Sequence, residues 1–101
     1  MSDMRTANII REQIGHKALY MMGAKNLVGD SRQLTWKVGR NSKRVRWVQV
    51  ILDPSDTYTV RFLGGGRAPS FEVIERASHS MVYFDQLHAI IEKETGFYLS
   101  L

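Results

Sequence analysis

The chain has 101 residues, 44% of them apolar and 24% charged, a balance that fits one globular domain and excludes extensive disorder. The absence of cysteine excludes disulfides and thiolate metal sites and fits a reducing, cytoplasmic setting. Fourteen Lys and Arg against ten Asp and Glu leave a net charge of +4, enough to attract polyanions weakly. No apolar run approaches the ~18 residues that a bilayer crossing needs, and Ser2 and Asp3 follow Met1 without a basic segment leading into an apolar stretch, so neither a membrane span nor a secretory signal is expected.

In chain order, Ala7, Ile10 and Ile14 recur at three and four positions with Arg5, Asn8, Arg11 and Glu12 between them, which predicts an amphipathic helix over residues 3–14. Ser2 or Asp3 is placed to cap its start, and Gly15 to end it. From residue 18 to residue 76 the period moves toward two, and strands are predicted at 18–22, 34–38, 46–52, 58–63 and 71–76. Leu34, Trp36 and Val38 share one face against Thr35 and Lys37, while Tyr58, Val60 and Phe62 alternate with Thr59 and Arg61, so both strands have one wet side. The third strand, with Trp47, Val48, Val50, Ile51 and Leu52, is nearly continuous in apolar residues and is expected at the centre of the sheet. Asp53-Pro54-Ser55-Asp56 has the chemistry of a tight turn that joins strands three and four as a hairpin. Gly64-Gly65-Gly66 predicts a flexible loop. Tyr83, Leu87, Ile90 and Ile91 return to helical spacing and predict a helix over 80–95 that Gly96 ends. The apolar tail, residues 97–101, is expected to pack back on the sheet or on a partner. The expected fold is α+β: a single domain over residues 1–101 in the order α-β-β-β-β-β-α, an antiparallel sheet of four or five strands with the N-terminal and C-terminal helices against one face.

Three stretches, MMGAKNLV at 21–28, LDPSDTYTVRF at 52–62 and YFDQLHAIIEKETGFYLSL at 83–101, together resemble a widespread family of small uncharacterised proteins from tailed phages, prophages and related mobile elements. Its members pair a GAKN-like segment with a threonine-glycine-tyrosine C-terminus. The resemblance spans nearly all the chain and implies a phage-encoded protein acting in the cytoplasm of a bacterial host, but it brings no activity with it. Arg61 stands where the family pattern implies an acidic residue after YTV, and the basic run at 40–46 is heavier than the pattern implies, so a role built on these cations belongs to this chain rather than to the family.

Lys37, Arg40, Lys43, Arg44 and Arg46 put five cations into the ten positions 37–46, between two strands. A β-ribbon of this kind can lay its cations along phosphates, with Trp36, Trp47 and Tyr58 as candidate stacking faces; the plainer reading is a solvated hairpin tip. Trp36 shares its face with Leu34 and Val38, which assigns it to the core. Arg61 joins the set if it emerges beside Lys37 and Arg46 on the open sheet face. Arg67, in GGGRAP at 64–69, is placed to touch an anion, although the stretch lacks the lysine-serine or lysine-threonine helix start of a P-loop.

His16, His79 and His88 are not spaced as metal ligands, and Ser78-His79-Ser80 is no triad because adjacent side chains point apart. Asp53 with Asp56 serves a turn, and Glu92 with Glu94 lies on a helix end. No metal, no cofactor and no enzymatic activity are therefore expected. Phe84, Phe97, Tyr98 and Leu101 add apolar area around one helix beyond what a small core absorbs, a candidate protein interface that a homodimer would bury. Two functions are left from these residues: a non-enzymatic binder of nucleic acid or of an acidic host protein through the basic hairpin, and an inhibitor of a host defence factor acting through the apolar C-terminal surface.

Overall fold

Helix α1, Arg5–Ile14, buries one stripe, Ala7, Ile10 and Ile14, and leaves Asn8, Arg11 and Glu12 in solvent. The computed structural model describes residues 5–41, 43–65, 73–97 and 99, so the expected caps Ser2 and Asp3 lie outside it. Gly15 ends α1 at a φ of +91°, its amide donating to the Arg11 carbonyl at 2.9 Å, and the chain turns at once into α2, His16–Met21. The strand predicted at 18–22 is thus a helix. Ala18, Leu19 and Met22 are buried at helical spacing, and a five-residue apolar run does not by its pattern distinguish the two structures.

The first strand comes later, as β1, Lys25–Gly29, followed by β2, Gln33–Lys37, β3, Trp47–Leu52, β4, Tyr58–Gly65, and β5, Val73–Val82. All five pair antiparallel in sequence order, β1-β2-β3-β4-β5, so β3 is central as expected. Gly64 and Gly65 belong to β4 rather than to a loop, and β5 runs six residues past its predicted end at Arg76. Phe71 lies outside the described residues. The edge strands β1 and β5 each carry a bulge with a non-glycine residue at positive φ, Asn26 at +54° and Met81 at +56°, which breaks the regular ladder that another chain would extend.

Leu34, Trp36, Val48, Val50, Val60 and Phe62 project from one sheet face into a single core closed by the helices. Helix α3, Leu87–Thr95, inserts Leu87, Ile91 and Thr95 and ends at Gly96, left-handed at a φ of +81°. It is tied to α1 by a hydrogen bond between His88 Nε2 and the Ile14 carbonyl, and to β5 by His79 Nε2 and Glu94 Oε2 at 3.3 Å. His79 sits inside β5, and the predicted helix start at Ser80 is displaced to Leu87 by the end of β5 and a short 3-10 turn, Phe84–Gln86. Of the tail, Phe97 packs against the core and Leu99 is buried, its amide donating to Glu92 Oε2 at 2.9 Å. The architecture is one α+β domain with helices at both ends of the sequence.

The hairpin between β3 and β4 turns as its sequence predicts, with the Asp56 amide donating to the Asp53 carbonyl at 3.0 Å and Asp56 itself left-handed at a φ of +62°. Just beyond it, the Tyr58 hydroxyl is buried and donates to Gln13 Oε1 on α1. Burial holds this phenol above its ordinary pKa of 10.0, the Gln13 hydrogen bond acting against the shift and the Asp56 charge with it. A phenol with a raised folded-state pKa keeps its proton more tightly when folded, so its contribution to stability is intact below pH 10.0 and is lost as pH climbs through the folded-state value. Tyr58→Phe should cost about 1 kcal/mol at neutral pH through the lost hydrogen bond. It should also lose less stability than the parent between about pH 8 and about pH 11 in urea-unfolding titrations; parallel curves would contradict this account.

Candidate functional site

The sheet is polar in charge from end to end because of its topology. The turns after β1 and β3 carry Asp30, Asp53 and Asp56 at one end, while the start of β1, the loop after β2 and the strand ends around Gly65 and Val73 meet at the other. Strands of five to eight residues separate the two ends by about 17–25 Å. That exceeds the ~8–10 Å over which charges act through physiological salt, so the aspartates do not neutralise what gathers at the far end.

What gathers there is a cleft of about 1050 Å³ lined by Lys25, Lys37, Arg40, Arg44, Arg46 and Arg76, with Val38, Val45 and Ile74 as apolar floor and no acidic residue among its described lining. Its shape depends on the loop between β2 and β3. Asn41 is the template: its side-chain amide donates to the Gly39 carbonyl at 2.9 Å and the Val45 carbonyl at 2.6 Å, and its Oδ1 accepts from the amides of Lys43 at 3.2 Å and Val45 at 3.0 Å. Val45, held this way, is buried, and Arg44 beside it is forced to a φ of +59°, a conformation that costs a non-glycine residue about 1–2 kcal/mol.

Gly64 lets this loop lie on β4. A Cβ on Gly64 would stand 2.5 Å from the Arg44 carbonyl oxygen and 2.6 Å from Arg76 Nε, so any other residue pushes the loop off the strand. A Cβ on Gly65 would stand 3.4 Å from Arg46 Nε, and Arg76 Nη2 donates to the Gly65 carbonyl at 3.3 Å. Strand alternation completes the charge separation: Ile74 and Arg76 line the cleft, whereas Glu75 between them projects elsewhere and is held by Arg61 at 2.7 Å.

Of the residues singled out in the sequence, Lys37, Arg40, Arg44 and Arg46 meet in the cleft. Lys43 is exposed on the loop outside the lining, and Arg67 lies outside the described residues. Arg61 does not join them. Its Nε pairs with Glu75 and its Nη1 donates to Gln49 Oε1 at 2.9 Å, which continues through Gln33 to Asp30 as a hydrogen-bonded line across β2 to β5. Lys37 and Arg61 do share the polar face, but β3 stands between their strands, so the condition that Arg61 emerge beside Lys37 and Arg46 is not met. Lys25 and Arg76 were missed. Lys25 follows a segment misread as a strand, and Arg76 fell at the end of a strand whose true extent, and hence facing, the bulge in β5 concealed.

Trp36 and Tyr58 are buried in the core and Trp47 is half-buried beside Lys37, so none of the three lines the cleft, and no aromatic ring does among the described residues. Elsewhere, Phe84 is 65% exposed, next to Tyr83 at 54% and Met81 at 60%, while Phe97 packs on the core and Tyr98 and Leu101 lie outside the described residues. Among the described residues no three His, Asp or Glu side chains group as metal ligands, and no helix is long and apolar enough to cross a membrane. No family model, curated protein or solved structure matches the chain.

Proposed function

We propose that this chain is a non-enzymatic nucleic-acid-binding protein that grips the phosphate backbone of a strand in its basic cleft. One observation carries the reading: six of the fourteen Lys and Arg converge on a single concavity whose described lining holds no carboxylate. Four of the six are arginines, whose forked donors match phosphate oxygens in pairs. The described lining holds no aromatic ring, which favours contacts to phosphates over base stacking. The resemblance of segments 21–28, 52–62 and 83–101 to small phage proteins supports a phage or mobile-element protein working in the bacterial cytoplasm.

The test is a salt titration. With six phosphate contacts to a single strand the log-log slope is about −4, so affinity for a labelled oligonucleotide should fall about 300-fold between 50 and 200 mM salt. A flat profile, or binding confined to acidic polypeptides, would defeat this reading and favour an acidic host protein as occupant. The exposed trio Met81, Tyr83 and Phe84 supports a second reading, a host-protein inhibitor or a homodimer contact using the apolar surface near α3.

A further inference from the structure

Trp36 and Tyr58 belong to the core, but Trp47 lies outside both the core and the lining of the cleft. Alternation along β3 turns Val48 and Val50 inward, where both are fully buried, and so sends Trp47 to the opposite sheet face. The described helices all bury their residues on the core side. Strand register then sets what stands beside the indole. Lys25 pairs with Lys37, Lys37 with Trp47, Trp47 with Leu63 and Leu63 with Glu75, one row across all five strands. Directly opposite residues share a face, so the row reads two cations, an indole, a leucine and a carboxylate that Arg61 already holds at 2.7 Å. Neighbouring strands are ~4.8 Å apart, which places Trp47 one strand spacing from Lys37 and two from Lys25. Both lysines are exposed and line the cleft, and Trp47 is half-buried. An aromatic side chain thus stands at the rim of the cleft, on the polar face, with the cations on one side of it.

We infer that Trp47 is the surface on which an unpaired base stacks when the phosphates beside it lie on Lys25 and Lys37, so that the ligand of the cleft is a single strand. This rests on the nucleic-acid reading and narrows it. Every base has a π-face, so one indole accepts any of the four. A duplex cannot use it: its bases are already stacked on one another, and its grooves present base edges rather than faces. Nor does the loop between β2 and β3 offer a duplex the projecting helix or ribbon that enters a groove. Asn41 folds that loop back on itself, Val45 is buried within it, and the Arg44 carbonyl lies over Gly64. A single strand passing from the cleft onto the open face meets cations for its phosphates and, one strand over, an aromatic side chain for a base.

The experiment titrates the full chain with a thymine strand of about twelve nucleotides, an abasic strand of the same length and phosphate count, and a blunt duplex, following tryptophan emission and the anisotropy of an end label. The chain has two tryptophans and Trp36 is 0% exposed, so a change of emission on binding reports Trp47. The thymine strand should quench that emission and bind about 5–150-fold more tightly than the abasic strand, the range for one base on one ring. The abasic strand and the duplex should leave it unchanged. Trp47→Leu should bring the thymine strand down to the affinity of the abasic one without moving the latter, and Trp47→Phe, which keeps a ring in place, should retain part of the preference. Circular dichroism spectra and melting temperatures of both variants establish that they fold. Equal affinity for the thymine and abasic strands, with a steep salt dependence, would overturn the stacking role and leave the nucleic-acid reading standing. Quenching by the duplex as strong as by the single strand would overturn the single-strand assignment. Failure of all three probes to bind would overturn the nucleic-acid reading and this inference with it. A preference that survives Trp47→Leu would overturn the assignment to this residue.

Discussion

Arg44→Glu combined with Arg46→Glu is expected to remove measurable strand binding above about 50 mM salt while leaving the protein folded. Each reversal takes two units from the cleft, so the formal charge of its described lining falls from +6 to +2 and the remaining cations face two new anions at phosphate distance. The log-log salt slope should drop from about −4 toward about −1, and the loss of affinity should exceed about a thousandfold at low salt, where screening is weakest. Both side chains are exposed and neither donates a side-chain hydrogen bond that holds the loop, a task that belongs to Asn41, so melting temperature should move little. The comparison that isolates the cleft is Arg32→Glu with Lys93→Glu, exposed positions that give the same net charge away from the site. If that pair weakened binding as much, the long-range field of a basic protein, rather than a built cleft, would be responsible. Arg44→Gly adds an internal check, because it removes a cation and relieves a backbone at a φ of +59°: lower affinity together with a higher melting temperature separates the binding role of this residue from its folding cost.

The contrast between the hairpin cations and Arg61 shows which parts of such a site a sequence contains. Lys37, Arg40, Arg44 and Arg46 are close in the chain, so any compact loop between β2 and β3 delivers them to one end of the sheet, and their convergence was legible. Arg61 was assigned by alternation alone. Alternation placed it correctly on the polar face, but whether that face leaves it free depends on Glu75 and Gln49, cross-strand neighbours fixed by register and by the bulges of β5. Period-two patterns also found β2 and β4, each of which keeps one buried face without interruption, and a nearly continuous apolar run found β3. They missed β1 and cut β5 short at Arg76; in these edge strands the ladder shifts register and Asn26 and Met81 insert an extra residue. Helix α2 was missed for a different reason: at six residues it is too short to show a helical repeat, and it is stabilised only by the burial of Ala18 and Leu19.

Phe62→Ala should be the most damaging single change to the fold, at about 3–5 kcal/mol, a large part of what a domain of this size holds in total. Phe62 is fully buried at the middle of β4, paired through the ladder with Val48 on one side and Ala77 on the other, so no neighbouring backbone can close over the space it leaves. It also meets the His79 ring edge-on, centroids 6.2 Å apart at 83°, and His79 in turn holds Glu94 of α3. Loss of the ring therefore frees the imidazole that ties the sheet to the last helix, a consequence beyond the cavity itself. A double-mutant cycle with His79→Ala separates the two effects: chemical unfolding should show a coupling of about 0.5–1.5 kcal/mol if the edge contact contributes, and none if Phe62 acts by volume alone. Phe62→Leu, which keeps most of the volume and abolishes the ring contact, should fall between the parent and the alanine variant. The cleft lies one strand end away from this ring, with Gly64 two residues along β4, so Phe62→Ala should also loosen the loop that Gly64 supports. Protection of the Val45 and Arg46 amides against hydrogen exchange, which the Asn41 side chain and the Leu63 carbonyl confer, should fall further than that of the α1 amides; equal losses in both places would mean that the site and the core unfold as one unit.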